Sequence, residues 1–219
     1  MRHILLFFFF FTGLSAFAQQ IDLFSPALQP VHVKTETVTY RGRKALKLNG
    51  AEGPLKEGGI AIIPGLQMQN GTIEVDLAGN LQTGADTSNR GFTGIAFHVE
   101  NGNPQRYECF YLRPTNGRSD NQLQRNHSLQ YVAEPDFPWQ KLRREAPGWY
   151  ESYADMEAGV WTHVKITVQG RKAQLYVNGA SQPALVVNDL KHDAITGGIA
   201  LWIGIGTEAH FSNLVVRKE

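Results

Sequence analysis

From residue 34 to the C-terminus, apolar and polar side chains alternate in short runs that glycine, asparagine and proline separate. "GTIEVDLAG" sets Ile73, Val75 and Leu77 against Thr72, Glu74 and Asp76. Successive side chains of an extended chain point to opposite faces, so such a run reads as a strand with one buried and one polar side. "FTGIAFHVE" does the same with Ile95, Phe97 and Val99 against Gly94, Ala96 and His98. "WTHVKITVQGRKAQLYVNG" alternates through Val164, Ile166 and Val168, turns at Gln169-Gly170-Arg171, and resumes through Ala173, Leu175 and Val177 to Asn178-Gly179. That is a hairpin followed by a second turn signal. "TVTYRGRKALKL" predicts two strands around Arg41-Gly42-Arg43, and "GGIAIIPG" a short strand between glycine breaks. "GGIALWIGIGTEAHFSNLVVRKE" supplies two more, with Ile199, Leu201 and Ile203 opposite Ala200 and Trp202, and a closing strand through Phe211, Leu214 and Val216. Helical periodicity is nearly absent, and the pattern predicts an all-β chain folded as a two-sheet antiparallel β-sandwich.

One stretch departs from this pattern. After "RYECFYLRP", Pro114 ends a strand by removing a donor and Asn116-Gly117 predicts a turn. "DFPWQKLRREAPG" reads as one or two helical turns, with Asp136 as cap, Pro138 in the first turn, Trp139 and Leu142 on one side, and Pro147-Gly148 at the end. Residues 114–148 therefore form a long loop excursion with one strand, "SLQYVAE", inside it. Loops of that length in a compact domain are functional or disordered, and the embedded aromatic residues argue against disorder. Strand parity just before it is open. Either Phe110 and Leu112 face the core with Glu108, leaving Cys109, Tyr111 and Arg113 outside, or Tyr107, Cys109 and Tyr111 are core and Glu108 is on the open face.

Composition narrows the setting. The opening "MRHILLFFFFFTGLSAFAQQ" has a basic start, an apolar run and Ala16-Phe17-Ala18, which predicts a secretory signal peptide over residues 1–18 and one domain over 19–219. A secreted or periplasmic location follows, with no membrane insertion after cleavage. Lys and Arg number 21 against 20 Asp and Glu, so no bulk charge points to nucleic acid. Cys109 is the only cysteine; an intrachain disulfide is excluded, and its strand context predicts a buried, inert thiol. Seven histidines occur without HxxxH, HxH or HExxH spacing, so no cofactor is expected, calcium being the remaining option through Asp189, Asp193 and Asn213. The sequence says nothing of oligomeric state.

Trp161 and the alternating strand after it, "LYVNG" at 175–179, "GGIALW" at 197–202 and "FSN" at 211–213 together resemble the concanavalin A-like lectin/glucanase superfamily, especially its laminin-G-like members. The resemblance implies a jelly roll whose concave face binds or cleaves glycans. "GFTGIAF" followed by "YECFYLRP" is similar, more loosely, to the 3-keto-disaccharide hydrolase family, which implies that Glu108 matches a strand glutamate of that family. The glucanase signature of two glutamates flanking an aspartate is absent, and Glu74 with Asp76 reads as a solvated outer face or a carboxylate pair.

Sugars are recognised by aromatic rings against the apolar ring face and by polar side chains on the hydroxyls. The excursion is rich in both, and its arginine forks also suit an acidic sugar. The candidate carbohydrate-binding residues are Arg113, Asn116, Arg118, Arg125, His127, Tyr131 and Trp139, joined by Trp202 from the C-terminal strands. The alternative is a glycoside-cleaving enzyme with Glu108 or His98 as acid/base. A third reading, a laminin-G-like protein-interaction module, predicts a flat exposed patch in place of a cleft.

Overall fold

The computed structural model describes residues 18–25, 27–50 and 58–219, so the expected signal segment lies outside them except for Ala18. Among the described residues the strands form two antiparallel sheets. The first runs, edge to edge, β13 (Leu185–Val187), β12 (Lys172–Val177), β11 (Thr162–Gln169), β6 (Gly71–Leu81), β15 (Thr207–Lys218), β4 (Arg43–Asn49) and β3 (Lys34–Tyr40), with β1 (Ala18–Gln20) paired to the end of β15. The second runs β10 (Glu151–Ser152), β9 (Leu129–Glu134), β8 (Tyr107–Leu112), β7 (Thr93–Val99), β14 (Gly197–Ile203), β5 (Gly59–Met68) and β2 (Gln29–Val31).

The alternating runs become strands as their patterns predict. Arg41 and Gly42, at φ 46° and 76°, form the two-residue turn between β3 and β4, with Tyr40 paired to Arg43. Two positive φ values give the turn a twist that matches its strands. In β6 the inner residues Ile73, Val75 and Leu77 are fully buried while Thr72, Glu74 and Asp76 are half-buried on the outer face. The closing strand has an odd spacing, Phe211 then Leu214 and Val216, all buried. Its register against β6 shifts between Ser212 and Val215, with Asn213 at φ 54°. This bulge inserts the extra residue that returns Leu214 to the inner face.

The second sheet is buried on both sides. Pairing places Phe97, Ile95, Glu108, Phe110, Tyr131 and Leu201 on one face. That face looks across to the first sheet, because the Tyr131 hydroxyl accepts a hydrogen bond from the Lys191 N–H, beyond β13, at 2.8 Å. Tyr111, Cys109, Gln130, Val132, Glu134 and Trp202 lie on the opposite face. The first of the two parities is therefore the real one.

The excursion covers that outer face. Its inner strand is β9, a full member of the sheet, so what departs from the sandwich is two shorter segments on either side of it. The first carries a 3-10 turn at Pro114–Asn116 and helix α1 (Gln122–Asn126), capped by Asn121 accepting from the Gln124 N–H. The second carries α2 (Trp139–Glu145), whose N-cap is Pro138 without a side-chain cap. Asp136, expected as that cap, instead accepts from Arg106 at 3.0 Å.

Candidate functional site

The outer face of the second sheet holds a trough with two compartments. The first, about 200 Å³, has Tyr111 of β8 and Trp202 of β14 on its floor, stacked at 4.8 Å with planes 25° apart. They meet because Gly94 lies opposite both in the paired strands, and a side chain there would collide with the Phe110 carbonyl and come within 2.6 Å of the Tyr111 Cα. Trp202 is anchored by donating its indole N–H to the Tyr107 hydroxyl at 3.0 Å. Phe92 meets Tyr111 edge-on at 6.0 Å, and Trp139 of α2 closes the wall. Val132, Ile205 and the carboxylate of Glu134 complete the lining with Asn89 and Gly204. Trp202 and Tyr111 are only 4% and 3% exposed, so the rings that meet an incoming ligand first are the half-buried Trp139 and Phe92.

The second compartment, about 310 Å³, shares Phe92 and Trp139 with the first. Arg90, Arg113, Asn116, His127 and Arg143 line it, with Leu123 at 65% exposure on its rim. Arg113 is a buried hub: it donates to the Tyr111 hydroxyl and the Gln130 side-chain oxygen at 3.0 Å, to the His127 carbonyl at 2.9 Å, and to Glu151 at 3.3 Å. Glu151 on β10 also accepts two bonds from Arg143, and its other oxygen lies 3.7 Å from the His127 ring. Burial holds the His127 pKa below its ordinary value, so this imidazole is neutral near pH 7. Two guanidinium groups lie near the Trp139 ring, Arg143 at 4.5 Å and Arg113 at 5.9 Å from its centre. Together the compartments reach the range of small-ligand pockets, roughly 300–1,000 Å³.

Known structures share the architecture. A carbohydrate-binding module from Bacillus subtilis superposes with a TM-score of 0.58 at 11% identity, over 87% of this chain and 95% of that one. The β-glucanase of Bacillus licheniformis gives 0.52 at 12% identity, over 93% and 98%. The exoplasmic/lumenal domain of VIP36, in a Ca2+/Man3GlcNAc-bound form, gives 0.52 at 9% identity, over 89% and 84%. The shared fold is a two-sheet jelly roll. No protein-family model matches the chain, and no curated protein matches it in sequence.

On this jelly roll the expected site residues divide. Arg113, Asn116, His127, Trp139 and Trp202 converge on the trough. Arg118 does not: it is exposed and bonded to Asp155 and Glu157. Nor does Arg125, which donates to the Tyr153 hydroxyl at 3.0 Å and lies over that ring, away from both compartments. Tyr131 is a core residue with no exposure, because strand parity turns it between the sheets.

Both proposed acid/base residues are displaced as well. Glu108 is on the inner face, fully buried, accepting from the Tyr131 hydroxyl and from the His192 N–H at 2.9 Å. Burial pushes its pKa up to about 7, against the opposing pull of Tyr131, His192, Arg106 and Arg171. The whole sheet separates it from the trough. His98 falls at a strand irregularity with φ 51°, and its Nε2 lies 2.9 Å from the Gln69 carbonyl. Burial depresses its pKa, so it serves as a neutral structural donor outside the trough. Cys109 is fully buried with its pKa raised by burial, an inert thiol as expected. The outer-face carboxylate Glu74 is paired with Arg217 and Asp76 with Arg43, with the His163 ring 2.8 Å from Asp76.

The calcium candidates do not assemble. Asp189 accepts from Tyr150 and Lys191, Asp193 is solvent-exposed, and Asn213 donates to Asp76. Among the described residues no three His, Cys, Asp or Glu side chains are arranged to hold a metal. Sequence reasoning missed Phe92, Arg90, Glu134, Arg143 and Glu151. Arg143 had a signal, since its spacing of four from Trp139 on a helix puts the guanidinium on the indole. Glu151 had none, because its partner Arg113 is 38 residues away.

Proposed function

We propose that this protein binds a carbohydrate in the two-compartment trough. The observation that carries this is the ring set of Tyr111, Trp202, Phe92 and Trp139 around a cleft edged by polar and charged side chains. Sugars use such a set, their apolar faces against the rings and their hydroxyls toward convergent donors and acceptors. The jelly-roll neighbours named as a carbohydrate-binding module and as a Man3GlcNAc-bound domain support the same reading. Binding is favoured over cleavage, since glycoside hydrolysis uses two facing carboxylates and Glu134 is the one acid among the described lining residues. A recessed trough also fits a glycan better than the flat patch of a protein-interaction module. Export directed by residues 1–18, leaving residues 19–219 as one domain, belongs to the same proposal and accords with a ligand found outside cells.

The test is a glycan array followed by calorimetry on the best hit, with Trp139→Ala and Phe92→Ala beside the parent. Both variants should lose about tenfold or more in affinity while keeping the parent's circular dichroism, as expected for removal of a stacking ring. Absence of any glycan signal, or equal binding by all three proteins, refutes the site.

A further inference from the structure

The second compartment carries a charge surplus that a neutral sugar does not explain. Three arginines, Arg90, Arg113 and Arg143, line it, and among the described residues no acidic side chain does. The carboxylate that answers two of them is Glu151, 7% exposed, which pairs with Arg113 and Arg143; Arg90 makes no ion pair and feels only the more distant field of the exposed Asp86. Arg90 uses one nitrogen, Nη1, on the carbonyl oxygens of Thr87 and Asn89. Its Nε and Nη2 edge remains, the edge with which a guanidinium grips a planar carboxylate through two parallel bonds.

A second observation is independent of charge. Asn116 is 4% exposed and lines the same compartment. Its amide N–H donates to the His127 carbonyl at 3.4 Å, and its Oδ1 is buried with no donor among the described residues. A buried acceptor left unmade is costly. The compartment therefore holds three cationic side chains against the one carboxylate paired behind them and the outlying Asp86, and shares its Phe92 and Trp139 walls with an aromatic cleft.

We propose that this compartment is a subsite for a carboxylate-bearing sugar, a uronic acid, so that the glycan spans a neutral residue on the aromatic floor and an acidic one beside Arg90. The inference rests on the carbohydrate reading above and names its ligand class. The carboxylate faces Arg90, Arg113 and Arg143, with Glu151 held behind the latter two and a neutral His127 alongside. A bare inorganic anion satisfies the arginines but places no apolar face against the shared Phe92 and Trp139 walls.

The experiment uses an array carrying uronic-acid glycans, sulphated glycans and neutral glycans, then calorimetry of the best uronate against its carboxyl-reduced, neutral form. The parent should bind the uronate about tenfold or more tightly than the reduced form, the size expected for a charge-assisted pair. Arg90→Gln, whose bonds run only to backbone carbonyls, should erase that preference, read as the ratio of the affinities for the uronate and its reduced form. Arg143→Gln is the second variant, with melting curves to confirm folding of each. Equal affinity for both forms, or a signal confined to sulphated glycans, overturns the uronate subsite. If neutral glycans alone bind, and bind through Trp139, the carbohydrate site survives and the acidic subsite does not. If no glycan binds, both fail.

Discussion

Replacing Glu108 by glutamine probes the most strongly perturbed carboxyl of the core. Its pKa is raised from 4.5 to about 7 by burial, which outweighs the hydrogen bonds from Tyr131 and the His192 N–H and the fields of Arg106 and Arg171. An acid harder to ionise folded than unfolded binds more protons in the native state, so its contribution to stability is greatest below about pH 4.5 and is lost as pH rises to about 7. The displacement corresponds to about 3 kcal/mol at full span, of which about 2–3 kcal/mol falls between about pH 5 and about pH 8. His98, His127, His192 and His210, all depressed by burial, act the other way, their stabilisation being lost as pH falls below about 6.5. Glu108→Gln retains every histidine, so urea unfolding of parent and variant across that range isolates the carboxyl. The parent's advantage over the variant should shrink by about 2–3 kcal/mol from the acid to the alkaline end. Glutamine itself is destabilising at low pH, because its amide cannot accept from both Tyr131 and the His192 N–H. A difference that stays flat with pH refutes the claim that burial between the sheets raises the Glu108 pKa.

Gly94→Ala should destabilise by about 1–3 kcal/mol or more, read from chemical denaturation, since its Cβ has only the Phe110 and Tyr111 backbone to displace. Trp202→Ala should cost about 3–5 kcal/mol in the same assay and weaken glycan binding, whereas Trp202→Phe should recover most of the stability. Arg118→Ala and Arg125→Ala should leave glycan affinity and melting temperature unchanged, because both side chains lie outside the trough and engage only surface partners. A loss of affinity in either would relocate the ligand. Tyr131→Phe, which removes a donor to Glu108, should move the midpoint of the pH-dependent stability change upward, measured by the same unfolding series.

Much of the architecture was legible in the sequence because a sandwich writes its inner face at every second residue. Val75, Val164, Leu175 and Leu201 are in the core where alternation puts them. The turns at Arg41-Gly42 and Asn178-Gly179 announced themselves, since few residues adopt their positive φ. The excursion's aromatic and basic richness pointed to the trough, and five of the eight expected ligand residues reach it.

Alternation, however, is blind to which side of a sheet is which. The run from Tyr107 to Leu112 is buried on both faces, so hydrophobicity alone was symmetric about Glu108, and only packing against the first sheet turned that carboxylate inward and Tyr111 outward. The same packing took Tyr131 into the core and left its neighbours Gln130 and Val132 toward the trough. Partner choice was likewise decided in three dimensions. Arg113, Arg118 and Arg125 look alike in the sequence, yet one meets Glu151 on β10, one meets Asp155 and Glu157 at the surface, and one meets Tyr153. Local patterns determined the strands and their turns, because backbone geometry acts between neighbours. The trough's chemistry was set by contacts between segments far apart in the chain, which only the folded sandwich brings within hydrogen-bonding distance.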